Sequence, residues 1–271
     1  MCLLIALFQA LPDAPLLVAA NRDERLDRPA VPVTVLRERE PRILGGRDLL
    51  SGGTWLAVND RGVVAGLTNQ PAPDGRDPTK RSRGELPLAC ASHVSAAEAV
   101  KALVAHVDPA SYNPCWMLVG DRDALFAIAI GPGGSRPEVE QLGPGRYVLE
   151  NAPIQAGSRK AAFVAELIEQ ALAERPDPGA PATAAALATV LRDHRPAVPE
   201  PRTDAAGRVW SPALSAGCVH ADGFGTRSSA IVTVPAAGLP ELAVSEGKPC
   251  ETPLRDVTAL WTADRVAELS G

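Results

Sequence analysis

The chain opens on an apolar run. Residues 2–9 are almost continuously hydrophobic, the pattern of a strand buried on both faces. Leu11-Pro12-Asp13-Ala14-Pro15 breaks the run, because proline withholds a backbone donor and aspartate competes for backbone hydrogen bonds. A second apolar run, Leu16 to Ala20, ends in the polar string Asn21-Arg22-Asp23-Glu24-Arg25. The two runs predict a hairpin, which would bring Cys2 at the start of one strand close to the charged string at the end of the other. Segments 54–58 and 63–68 flank Asn59-Asp60-Arg61-Gly62 and predict a second hairpin. Strands are also expected at 115–120, 124–130, 146–149, 229–234, 240–245 and 256–262, with loops at 131–145 and 195–212. Helices are expected after Arg81–Gly84, over about 95–107, from Ser158 and over about 181–193. In the third of these Val164, Leu167, Ile168, Ala171 and Leu172 recur at helical spacing.

Neither a repeat nor a linker divides the chain, so 1–271 reads as one domain. Strands and helices come in mixed blocks without βαβ alternation, which predicts an antiparallel α+β core with helices packed outside.

Composition narrows the function classes. The hydrophobic fraction of 46% supports a sizeable core, and the net charge of −5 gives no electrostatic footprint for nucleic acid. No apolar run reaches the length of a membrane span. The N-terminal run has no basic flank and stops at Pro12, so no secretory signal is read and a cytoplasmic protein is expected. Five cysteines without a CxxC pair suggest neither a disulfide framework nor zinc. The four histidines show no metal spacing, and neither a phosphate loop nor a haem-attachment motif occurs. No metal and no cofactor is therefore expected.

Cys2 is the sharpest candidate. Removal of Met1 would leave it with a thiol and an α-amine, both titrating near neutrality, and an N-terminal amine can serve as the base for an adjacent nucleophile. In an extended chain Asn21 and Asp23 share one face and Arg22 and Glu24 the other. Arg22 could depress the thiol pKa, and Asp23 could orient the amine. Asn69 and Asn151 are strand-end amides suited to an oxyanion. Arg227 offers a fixed cation, and Trp55 follows Gly52-Gly53-Thr54. Which of Asn21, Arg22, Asp23 and Glu24 faces Cys2 stays open at this point.

Met1-Cys2, Ala20-Asn21-Arg22-Asp23-Glu24, Gly52-Gly53-Thr54-Trp55-Leu56, Leu67-Thr68-Asn69, Arg83-Gly84-Glu85-Leu86, Asn151-Ala152 and Gly225-Thr226-Arg227 occur in that order. Together they resemble the NRDE family, also called the transport-and-Golgi-organisation family, which is similar to the cysteine N-terminal-nucleophile (Ntn) hydrolases. The resemblance implies a four-layer αββα sandwich with two stacked antiparallel sheets. It implies Cys2 as nucleophile and its amine as base, Asp23 orienting that amine and Arg22 beside the thiol. Asn69 and Asn151 fall at the oxyanion and substrate-amide positions, and Arg227 at that of a supporting cation. Asn21, Glu24 and Trp55 fall at the substrate-binding rim. The function implied is hydrolysis of a non-peptide C–N amide bond in a small molecule through a thioester. The alternative is a non-catalytic carrier of haem or an acylated lipid.

Overall fold

A computed structural model of the chain describes residues 2–38, 40–71, 75–131, 134–154, 156–174, 179–203, 207 and 209–263. The first half carries β1 (Leu3–Phe8), β2 (Leu16–Arg25), β3 (Ala30–Arg37), β4 (Ile43–Asp48), β5 (Leu56–Asn59) and β6 (Val64–Asn69). After them come α1 (Glu85–Cys90), α2 (Ala96–His106), β7 (Cys115–Gly120), β8 (Leu125–Ile130), β9 (Glu138–Leu142) and β10 (Gly145–Leu149). The second half carries α3 (Arg159–Ala173), α4 (Ala180–Arg192), β11 (Arg202–Thr203), β12 (Val209–Trp210), β13 (His220–Ala221), β14 (Phe224–Val234), β15 (Glu241–Ser245) and β16 (Arg255–Asp256).

Among the described residues two seven-stranded antiparallel sheets result, beside the small β11–β12 pair. One runs β10-β1-β2-β14-β15-β16 with β13 on β14, the other β3 through β9 in chain order. The apolar character of β1 has a simple cause: both its faces are buried. Leu4, Ala6 and Phe8 join the core between the sheets with Leu44, Leu56, Leu118 and Val232. Leu3, Ile5 and Leu7 pack under Val164, Leu167 and Ile168 of α3 and Leu187, Val190 and Leu191 of α4. The second sheet turns Cys115, Met117, Val119 and Ile128 towards Leu86 of α1 and Val100 and Leu103 of α2. Three stacked cores make the layers helix, sheet, sheet, helix, the αββα sandwich expected from the resemblance. Each fully buried Leu or Phe contributes about 1.5–3 kcal/mol.

The helix starts are chemically marked. Ser95 Oγ accepts from Glu98 N at 3.2 Å and Ser158 Oγ from Ala161 N at 3.0 Å. Asp13, in the turn between β1 and β2, accepts from Ala180 N at 2.9 Å and so caps α4 from another part of the chain. No described helix is long and apolar enough to cross a membrane.

Four expectations need correction. The second strand does not stop at Ala20 but continues to Arg25, because β14 pairs with it along its whole length. The 131–145 stretch contains β9, an edge strand whose Glu138, Val139, Glu140 and Gln141 are exposed and so lack an apolar signature. Segment 256–262 is not a strand. It holds the end of the short β16 and a 3-10 turn, Thr258–Trp261, which brings Trp261 into the inter-sheet core. The 195–212 stretch includes the small β11–β12 pair.

Candidate active site

The register of β1 on β2 pairs Leu3 with Asn21, so Cys2 lies one residue beyond, beside Arg22. Alternation then decides which side chain serves which face. Asn21 and Asp23 turn towards the helices, Arg22 and Glu24 towards the other sheet.

On the inter-sheet side a cleft of about 300 Å³ is lined by Cys2, Arg22, Glu24, Trp55 and Asn69. Cys2 is 9% exposed, and its Sγ lies 4.0 Å from the Asp23 carbonyl oxygen. Burial pushes the thiol above its ordinary pKa and the Asp23 carboxylate adds to that, while the Arg22 guanidinium works against both. The Arg22 guanidinium stacks 4.3 Å over the Trp55 ring and lies 3.4 Å from Asp48 Oδ2. Asp48 is gripped by Arg28 at 2.6 and 3.2 Å and accepts from Ser51 N at 2.8 Å. Burial alone would raise its carboxyl pKa; Arg28, Ser51 N and Arg22 override that and hold it below the ordinary value. Glu24 faces Arg28 at 3.6 Å.

The opposite face of β2 is a buried polar layer. Asn21 donates to Leu191 O at 2.9 Å and Gly217 O at 2.8 Å and accepts from Ser229 Oγ at 2.5 Å. Asp23 accepts from Thr226 Oγ1 at 2.5 Å and lies 3.7 Å from Lys160 Nζ at the start of α3. Burial raises the Asp23 carboxyl pKa, with Lys160 and Thr226 opposing. Thr226 and Ser229 reach this face together because β14 is bulged between Thr226 and Ser228.

Two glycine loops wall the cleft. Gly53 has φ +76°, and a Cβ there would stand 2.3 Å from the backbone carbon of Gly84. Only glycine permits this backbone crossing, which Thr54 N closes by donating to Gly84 O at 2.9 Å. The crossing carries Arg81 and Arg83 to the rim, where Arg83 donates to Pro114 O at 3.2 Å and Arg81 to Glu85 at 2.6 Å. Arg76, also in the lining, donates to Ser51 Oγ at 3.3 Å. The cleft thus sets five guanidinium groups, of Arg22, Arg28, Arg76, Arg81 and Arg83, against two carboxylates, of Glu24 and Asp48.

Cys2, Arg22, Glu24, Trp55 and Asn69 therefore meet around one cleft; Asp23 borders it but turns its carboxylate behind β2, and three further expected residues stand apart from it. Asn21 is 1% exposed and spends its amide on the protein. Asn151 lines a neighbouring cavity of about 340 Å³ with Lys160 and Trp210. Its Nδ2 donates to the Asn69 carbonyl, so it clamps the end of β6 from behind. Arg227 occupies the bulge and donates to the carbonyls of Arg25 and Arg28, holding the turn after β2. Spacing could not show this, because the bulge decides where Arg227 points.

Sequence reasoning missed Lys160, Arg28, Asp48 and the pair Thr226 and Ser229. Lys160 had a legible signal, since it lies one helical turn before Val164 on the apolar stripe of α3. Asp48 sits at the end of a strand that carried no expectation.

Residues 1–246 match the family model described as "Transport and Golgi organisation 2". The chain is 32% identical over 252 residues to the "Transport and Golgi organization protein 2 homolog" of Bos taurus, and 31% over 252 residues to that of Homo sapiens. Each match covers 88% of this chain and 90% of the relative. Among solved structures, a Caenorhabditis elegans N-acylethanolamine-hydrolyzing acid amidase ortholog superposes with a TM-score of 0.49 at 15% identity, over 70% of this chain and 86% of that one. A conjugated bile acid hydrolase mutant of Clostridium perfringens gives a TM-score of 0.48 at 12% identity, over 95% and 92%.

Proposed function

The chain belongs to the Transport and Golgi organisation 2 family, and on that premise we propose that it is a cysteine amidohydrolase whose nucleophile is Cys2. The observation that carries this reading is the convergence of Cys2, Arg22 and Asn69 on one cleft, with Asp23 buried behind them against Lys160.

In this reading removal of Met1 frees the Cys2 α-amine, which takes the thiol proton; Asp23 orients the amine and Arg22 favours the thiolate. The thiolate attacks the amide carbonyl and an S–C bond forms. Asn69 donates to the developing oxyanion. The C–N bond breaks, and the leaving nitrogen takes the proton held by the α-amine. Water then attacks the thioester, the S–C bond breaks, a carboxylic acid leaves and the thiol is restored. The surplus of guanidinium groups favours a small-molecule substrate carrying a carboxylate, sulfonate or phosphate near the scissile bond. In this reading residues 2–271 act as one unit, and no step calls on a cofactor.

The test is twofold. Intact mass reports whether Met1 is gone and whether a thiol reagent labels Cys2 first. A panel of linear amides with and without an anionic group, read by amine release, then compares wild type with Cys2→Ala. Retained Met1, or a Cys2→Ala variant as fast as wild type, would sink the reading.

One observation favours a second reading, that of a carrier for an acylated lipid. Between the sheets lies an apolar cavity of about 150 Å³, lined by Val33, Leu44, Val58, Val232 and Val244, which shares Arg22 and Trp55 with the cleft. An acyl chain there would place its polar end at Cys2. Thermal stabilisation by an acylated ligand without turnover would favour the carrier.

A further inference from the structure

Beside the end of α4 the fold gathers two cysteines and two histidines that the proposed reaction does not use. Cys218 Sγ stands 3.4 Å from His220 Nε2 and 3.8 Å from Cys250 Sγ, and His220 Nε2 stands 3.2 Å from Cys250 Sγ. One donor atom from each of His194, His220 and Cys250 lies within 4.8 Å of the others. The two imidazole rings meet edge to face at 5.7 Å.

We propose that Cys218, Cys250, His194 and His220 form a zinc-binding site. Tetrahedral zinc takes sulfur at about 2.3 Å and nitrogen at about 2.0–2.1 Å, which sets neighbouring sulfurs about 3.8 Å apart and sulfur and nitrogen about 3.5 Å apart. The separations among Cys218, His220 and Cys250 lie within about 0.3 Å of those edge lengths, so these three side chains already approximate one face of the polyhedron. His194 is exposed on the chain just after α4 and free to supply the fourth corner by rotation of its ring. Two thiolates and two neutral imidazoles balance the divalent charge.

Sequence spacing hides the set, because positions 194, 218, 220 and 250 form no local pair of the zinc-finger kind.

A metal here would tie together the end of α4, the segment before β14 and the turn after β15. Cys218 N already donates to Asp193 O at 2.8 Å. Gly217 O accepts from Asn21, and Val219 N donates to Thr226 Oγ1 at 2.8 Å, whose hydroxyl donates in turn to Asp23. The ion would thus brace the polar layer behind Cys2, in a structural role independent of whether Cys2 is a nucleophile.

The experiment uses the full-length protein, reduced, stripped with a chelator and titrated with zinc and separately with cobalt(II). We expect one zinc retained per chain after desalting, a rise in melting temperature, and cobalt spectra with tetrahedral ligand-field bands and sulfur-to-metal charge transfer. Second-sphere partners alone are commonly worth about 10–100-fold in metal affinity. Cys250→Ser and His220→Ala should therefore each weaken zinc binding by at least about 100-fold, and His106→Gln, at the exposed end of α2, should not change it. Absence of retained zinc and of cobalt bands in reduced wild type would overturn the site. Unchanged affinity in the two ligand variants would do the same, as would peptide mapping that finds Cys218 joined to Cys250 by a disulfide in the protein as isolated.

Discussion

Replacing Lys160 by methionine tests the buried layer behind Cys2 most directly. Lys160 is 6% exposed, the Asp23 side chain is wholly buried, and their charged atoms lie 3.7 Å apart. Methionine keeps the length of the stem and removes the ammonium. Breaking a buried pair from one side costs about 3–5 kcal/mol, because the remaining charge stays desolvated. At about 2–4 °C per kcal/mol for a chain of this size, the melting temperature should fall by roughly 6–20 °C. The loss should also depend on pH. Burial raises the Asp23 carboxyl pKa even with Lys160 present, and losing Lys160 raises it further. The folded variant then binds the proton more tightly than the unfolded chain. Its stability falls as pH rises through the window between the ordinary carboxylate value, about 4, and the raised folded value, and returns as pH falls. Melting curves of wild type and Lys160→Met between neutral and mildly acid pH should therefore converge on acidification. Lys160→Met/Asp23→Asn, with neither member of the pair charged, should recover most of the loss at neutral pH. A single variant that melts within two or so degrees of wild type, or a gap constant across pH, would refute the reasoning.

Further outcomes follow from the same geometry. Gly53→Ala should cost about 2–5 kcal/mol, from left-handed strain plus overlap with the Gly84 backbone. Gly52→Ala, with φ +67° but open space around its Cβ, should cost only about 1–2 kcal/mol; equal denaturation midpoints would contradict the crossing described here. Arg22→Ala should slow alkylation of Cys2 at neutral pH and shift its rate profile to higher pH, since Arg22 is one of the groups holding the thiol down; an unshifted profile would separate the two side chains. Asp48→Asn should lower stability at neutral pH. Because the folded pKa of Asp48 is depressed, that difference is present above the ordinary carboxylate value and should fade as pH falls below about 4; a gap that persists in acid would speak against the Arg28 grip.

Much of this was legible in the sequence. The hairpin of β1 and β2 follows from two apolar runs around Pro12 and Pro15, and it alone places Cys2 beside Arg22. Alternation along 21–24 separated the faces. What it did not give was that both faces are interior. A string of four polar residues reads as the solvated end of a strand, yet Asn21, Arg22 and Asp23 are buried because β14 and α3 bring Thr226, Ser229 and Lys160 to meet them. Those partners lie over a hundred residues away. β3, with Val31, Val33 and Val35 alternating around Pro32, carried a readable period that drew no expectation. Arg227 was expected at the site and found bracing a turn, since a bulge is not written in residue type.

That bulge has a consequence for tolerance to length. Thr226 and Ser229 are three positions apart, an odd number, and in a regular strand they would face opposite ways. The one surplus residue restores even parity, so that both hydroxyls reach Asn21 and Asp23. A regular strand of unchanged length, or one further residue between them, would send one hydroxyl into the inter-sheet core and leave its partner across β2 without it. Loss of one residue would instead keep both hydroxyls on one face and remove the bulge that holds Arg227 over the Arg25 and Arg28 carbonyls, so this stretch of β14 should accept a shortening more readily than a lengthening.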